Sequence, residues 1–282
     1  MDERKRFFKS NPLKEDVIIS ELFHAIKDAV GERLTDDSVI SFSGGIDSSI
    51  IASISYSLGY DLTLITVGTK DSKDVENAFL VAKILNLKEP FIRAIDRGEI
   101  RDALLEVMRI IKSKNPVQVA IATPFYFACK TAKGGGFGKI LTGQGADELF
   151  GGYDRYKYMG ERELEEALRE DVTNITKDLK RDGAIARSQN LTLETPYLDR
   201  RVVKVASDIP VDLKIKRDAD LVTRKYILKR LAGERISKKL AGMEKKAMQY
   251  GSGVWKIMKK MAKDSGKGVG EFLSDLEDFD DG

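Results

Sequence analysis

A single cysteine and a single histidine in 282 residues exclude several chemistries at once. Cys129 by itself permits no internal disulfide and supplies no thiol pair for sulfur transfer or a zinc ribbon. It lies in an apolar-rich stretch and reads as a small buried hydrophobe. His24 falls on the polar side of a helix whose apolar stripe is Ile18, Leu22, Ile26 and Ala29, which makes it a surface residue. No stretch approaches the ~20 apolar residues of a membrane span, and charged residues 1–8 lead into no signal core. A cytoplasmic protein with no membrane partner is expected. Lys and Arg number 48 against 45 Asp and Glu, a net charge of +3. No positive excess calls for a nucleic-acid partner.

The chain has 42% hydrophobic residues, enough to bury one α/β domain with a helical extension. An amphipathic helix is expected over 16–30, a short buried strand over 37–42 and a helix over 47–58. A strand over 62–67, helix over 74–85, strand over 90–95, helices over 99–112 and 124–131, and strand over 139–142 follow. Strands separated by helices of this length predict a parallel, doubly wound sheet, with ligands beyond the carboxyl ends of its strands. Asp47, Val67 and Gly143 all fall there. After residue 152 only helices are expected, over 161–170, 172–187, 200–206, 221–231 and 254–262. The predicted organisation is an N-terminal helix (1–34), an α/β domain (35–152), a C-terminal helical half (153–264) and a loosely held acidic tail (265–282).

The run Ser43-Gly44-Gly45-Ile46-Asp47-Ser48-Ser49 joins the first strand to a helix through a glycine turn. Two glycines let backbone approach an anion, Ser43 and Ser48 add hydroxyl donors, and the helix start points free N–H groups outward. A bare carboxylate would repel a phosphate, so Asp47 makes sense as a Mg²⁺ ligand bridging protein to nucleotide. The other glycine cluster, 134–138, is not a Walker A loop, because Lys133 stands where its first glycine belongs. A second strand end carries Thr142-Gly143-Gln144-Gly145-Ala146-Asp147-Glu148, which can set Asp147 opposite Asp47. Two carboxylates converging on one nucleotide form a Mg²⁺–triphosphate arrangement. Taken alone, Asp147 and Glu148 also read as an ordinary acidic pair at a helix start.

These motifs carry a resemblance. Residues 43–49 resemble the SGGxDS loop of the PP-loop ATP pyrophosphatase superfamily. Residues 141–153 resemble the second signature of the synthetase domain of glutamine-hydrolysing asparagine synthetase. Val67-Gly68, Thr123-Pro124, Arg181-Asp182, Thr195-Pro196-Tyr197-Leu198-Asp199 and Lys246 follow in that family's order over roughly 35–262. The resemblance implies an adenine-nucleotide alpha-hydrolase-like fold and an AMP-forming, ATP- and Mg²⁺-dependent ligase: a carboxylate is adenylated and an amine displaces AMP. It implies nucleotide contacts at Ser43, Gly44, Gly45, Asp47, Ser48, Val67 and Gly143, metal ligands Asp47 and Asp147, and Lys246 on the α-phosphate and pyrophosphate. Asp182 and Glu194 are implied near the acceptor.

Three departures bear on the acceptor. Only ~35 residues precede the first strand, so no glutaminase domain is expected, and nitrogen would come as ammonia, another amine, or ammonia from a separate glutaminase. Gln144 replaces the family glutamate, and an amide can position substrate but cannot act as a general base. Thr192-Leu193-Glu194 stands where the family has Glu-x-Arg, and Ala120 where it has an arginine near the helix start, so two of the arginine forks that fix carboxylates are lost. The alternatives are a nucleotide-binding regulatory subunit with a drifted acceptor site and a NAD synthetase-like amidating enzyme.

Overall fold

The computed structural model describes residues 12–218, 221–242 and 251–278. Its centre is a five-stranded parallel sheet in the order β3-β2-β1-β4-β5, formed by β1 (Ser38–Ser41), β2 (Thr63–Gly68), β3 (Phe91–Ala94), β4 (Lys139–Leu141) and β5 (Thr192–Glu194). Strand order runs outward from β1 in both directions, so the ends of β1 and β4 flank the point where the winding reverses. Register pairs Val39 with Ile140 and Ile40 with Leu141. The loops leaving those two strands are therefore side by side.

Alternation along the strands builds two cores. Ile40, Leu64 and Leu141 face one side and pack with α1 (Pro12–Gly31), α2 (Ile46–Ser57) and the helices Arg200–Asp208 and Tyr226–Arg235. Val39, Ile65 and Ile140 face the other, against α4 (Arg97–Ile111), α5 (Pro116–Gly134) and helix Val254–Asp264. The sheet is thus wound on both faces, the fold class expected. Helix α3 (Lys73–Ile84) starts at Ser72, whose hydroxyl accepts from Val75 N.

Several expectations are corrected. The second half is not helices alone. β5 joins the main sheet through Lys139–Thr192 and Leu141–Glu194 pairings, and Lys216–Asp218 pairs antiparallel with Leu221–Thr223. Three-residue strands are too short to show an alternation. The helix expected from 221 begins at Tyr226. No glycine or proline interrupts 161–182, and the two helices expected over 161–187 are one, Glu161–Ser188. Pro124 does not open a helix but lies inside α5. The tail expected to be loose from 265 contains the helix Val269–Asp278, which buries Phe272, Leu273 and Leu276 in the second core. Their spacing is that of an apolar helix face hidden among acidic residues.

Candidate active site

Beyond β1 the chain turns at Gly44, whose φ of +66° favours glycine and whose Cα lies against α3. A Cβ there would lie 2.6 Å from the carbonyl carbon and oxygen of Asn77. Gly45 then caps α2 in extended conformation without a side-chain bond to the first turn, which leaves backbone N–H groups directed at the loop. Ser43 and Ser48 are buried and 3.4 Å apart, hydroxyl to hydroxyl. The Ser48 and Ser49 hydroxyls donate to Gly45 O, at 3.2 and 2.7 Å. The loop is thus shaped by its own side chains before any ligand arrives.

Gly143, just beyond β4, packs onto the first loop. A Cβ on it would lie 2.7 Å from the Asp47 Cβ. Gly145 adopts a left-handed turn and caps the short helix Ala146–Phe150, which carries Asp147. The two expected metal ligands do converge. Between them stands the ammonium of Lys225, with Nζ 2.6 Å from Asp47 Oδ2 and 2.7 Å from Asp147 Oδ1. Lys225 is 8% exposed and left-handed at φ +51°, immediately before helix Tyr226–Arg235. Burial alone would lower its pKa, but Asp147 and Asp47 outweigh burial and raise it above the ordinary lysine value. Gly152 provides room for this lysine, since a Cβ on Gly152 would overlap Lys225 Cε and the Asp147 carboxylate. Arg224 donates to Gly152 O, and Tyr197 OH donates to Asp47 O at 3.1 Å.

Sequence reasoning did not find Lys225. Its only local signal is a position at a helix start, and its importance comes from a tertiary approach. Lys246 lies outside the described residues. Among the described residues, Ser252 O accepts from Thr69 N at 2.9 Å, just beyond β2.

A small cavity at the ends of β1 and β2 is lined by Ser43, Thr66, Val67, Asp74, Pro124 and Ala128. It adjoins the glycine loop on the side where Val67 was expected to meet adenine. Asp74 is buried there at the start of α3, pressed against Gly251. The acceptor-side residues divide. Asp182 is drawn into a network under the second loop, where Arg181 binds it in bidentate fashion at 2.7 and 3.0 Å and also donates to Gln118 and Asp178, at 2.9 and 2.6 Å. Burial raises the Asp182 pKa against the pull of Arg181, and a hydrogen bond from Gln144 lowers it. Glu194 goes elsewhere. Its side chain pairs with Arg33 at 3.4 Å, beside the Arg33–Asp199 bond of 3.0 Å.

No group of three or more His, Cys, Asp or Glu side chains able to hold a metal occurs among the described residues. That fits Mg²⁺, which takes one or two carboxylates plus substrate phosphates and water rather than an all-protein cage. Asp47 and Asp147, already gathered on one cation beside an anion-accepting loop, are a suitable donor pair. No helix among the described residues is long and apolar enough to cross a membrane.

A doubly wound sheet with two glycine loops at its switch point, one leading to Asp47 and the other to Asp147, defines an α/β fold of the PP-loop type. The asparagine synthase family model matches residues 21–168 and 158–269, and the chain belongs to that family. The putative glutamine-hydrolysing asparagine synthetase 1 of Methanocaldococcus jannaschii is 34% identical, with 91% of this chain and 54% of that protein covered. The root asparagine synthetase (glutamine-hydrolysing) of Pisum sativum is 29% identical, over 74% of this chain and 38% of that protein. The chain thus spans about half the length, or less, of these curated relatives. A predicted subunit of tRNA methyltransferase from Methanocaldococcus jannaschii has 20% identity, covers 74% of this chain and 93% of its own, and has a TM-score of 0.34. That likeness is too slight to carry an argument.

Proposed function

We propose that the chain is an ATP-dependent, AMP-forming carbon–nitrogen ligase. The acceptor carboxylate attacks the α-phosphorus of ATP, pyrophosphate leaves, and ammonia or another amine displaces AMP from the acyl-adenylate. The observation that carries this reading is the convergence of Asp47 and Asp147 on one cation at the mouth of the Ser43–Ser48 loop. Gly44 and the first turn of α2, which no side chain caps, offer backbone N–H groups to the leaving pyrophosphate, and Ser43 and Ser48 add hydroxyls. Such preorganised donors stabilise charge as it develops and need no covalent participation. A Mg²⁺ ion held by Asp47 and Asp147 would supply charge neutralisation on the departing phosphates. The base is assigned to Val67, and the sugar–phosphate edge to Gly143, on the family pattern. Lys246 is assigned to the α-phosphate on the family pattern.

The acceptor is proposed to differ from aspartate. Arg181, the arginine of this region, is already bound to Asp182 and Asp178, and Ala120 and Thr192 supply no replacement. Gln144 and Asp182 then position acceptor or amine. The relatives are named as glutamine-hydrolysing, so ammonia from a separate glutaminase is one source of nitrogen. ATP–pyrophosphate exchange with Mg²⁺, screened against aspartate, other amino-acid carboxylates and deamido-NAD, tests the reading. Exchange with one of them identifies the acceptor. ATP binding with no exchange on any of them favours a regulatory subunit, the second reading, which Gln144 and the internally neutralised Arg181 motivate.

A further inference from the structure

We propose that Lys225 is a resident stand-in for the metal: its ammonium keeps the metal off Asp47 and Asp147 until a nucleotide arrives, which links metal binding to nucleotide binding. The inference rests on the reading of Asp47 and Asp147 as metal ligands, and it assigns a positioning role to a residue outside both signature loops. Nζ lies within 2.7 Å of both carboxylates, at hydrogen-bond distance from each. A divalent ion binding the same two oxygens would occupy the same space, so the ammonium and the ion exclude one another.

The lysine is fixed there from three directions. A left-handed backbone at φ +51° aims it, a strain of about 1 kcal/mol or more that the surrounding packing must offset. Gly152 leaves the corridor its stem runs through. Arg224, the residue just before it, is tied to Gly152 O and to Asp154. Metal alone would displace a buried ammonium from the two carboxylates that hold it and leave it uncompensated, which is costly. A metal–triphosphate brings its own anionic oxygens, so the displaced ammonium gains new partners in the same step. Uptake of metal and nucleotide is then mutually favourable, and by linkage each tightens the other equally.

The test is Mn²⁺ uptake followed by electron paramagnetic resonance and by calorimetry, on wild type and on Lys225→Met, with and without a non-hydrolysable ATP analogue. Wild type is expected to bind Mn²⁺ at least tenfold more tightly with the analogue than without it. Lys225→Met is expected to bind Mn²⁺ without nucleotide at least tenfold more tightly than wild type does, and to lose most of the linkage. Wild type binding Mn²⁺ equally well with and without the analogue overturns the proposal, whether or not the variant folds. So does a folded Lys225→Met that gains no nucleotide-free Mn²⁺ affinity while wild type keeps its linkage, an outcome that leaves the ligase reading intact. No Mn²⁺ uptake by either protein under any condition overturns both.

Discussion

Gly143 and Asp47 belong to different loops, yet a Cβ on Gly143 would lie 2.7 Å from the Asp47 Cβ. The absence of a side chain at Gly143 is what lets the loop after β4 lie on the loop after β1 and lets Asp147 reach the cation that Asp47 already holds. The site is therefore a product of contact between two loops, and substitutions on either loop should disturb the other.

Asp47→Asn and Asp147→Asn should each lower metal-dependent ATP–pyrophosphate exchange by roughly 10²-fold or more, the scale at which lost transition-state charge stabilisation is felt. Each also removes one of the two carboxylates that hold Lys225, and a stability loss of about 1–3 kcal/mol should appear in denaturant melts. Unchanged exchange in both variants would refute the metal-ligand assignment.

Gly44→Ala should be severely destabilising. The new methyl would meet Asn77 backbone atoms at 2.6 Å, and helix backbone cannot give way as a flexible side chain can. With the cost of a left-handed alanine added, about 2–4 kcal/mol should be lost. The melting temperature checks this, with Gly59→Ala as a control, since that glycine is also left-handed but a Cβ there would meet nothing within 4 Å.

Gln144→Glu restores the family residue, yet it should not restore aspartate activity. It removes the hydrogen bond that favours ionised Asp182 and sets a second carboxylate beside it. The variant should be less stable by about 1–3 kcal/mol at pH 7. The deficit should shrink as pH falls toward 5, because protonating one of the two acids relieves the repulsion. Chemical denaturation at the two pH values distinguishes this from a pH-independent packing defect.

Lys214 makes a pH prediction of the opposite sign. Burial pushes its ammonium down to about 8 from the ordinary lysine value of 10.5. Between these values the unfolded chain binds the proton and the folded chain does not, so this group makes stability rise with pH across that window. Below about 8 both states are charged and the full burial cost is present. Lys214→Met should therefore raise the melting temperature at pH 7 and give a smaller gain at pH 10, as thermal scans at both values would show.

Much of this protein was legible in its residues. The alternation of apolar strands with helical spacings dictates a doubly wound parallel sheet, because a parallel strand pair requires a crossover long enough for a helix. The two glycine loops and their acids follow from local chemistry, since only glycine lets a strand end turn that tightly toward an anion. Tertiary structure decided the rest. β5 is three residues long and exists because β4 offers it a partner. Residues 269–278 are helical because Phe272, Leu273 and Leu276 find a core to enter. Glu194 is paired with Arg33, which lies far from it in sequence. Lys225 becomes the centre of the site because helix Tyr226–Arg235 packs against α1 and α2 and brings its first turn to two carboxylates. Local pattern records which way a side chain can point within its own element. What a side chain meets is set by the packing of distant elements, and that information exists only once the chain is folded.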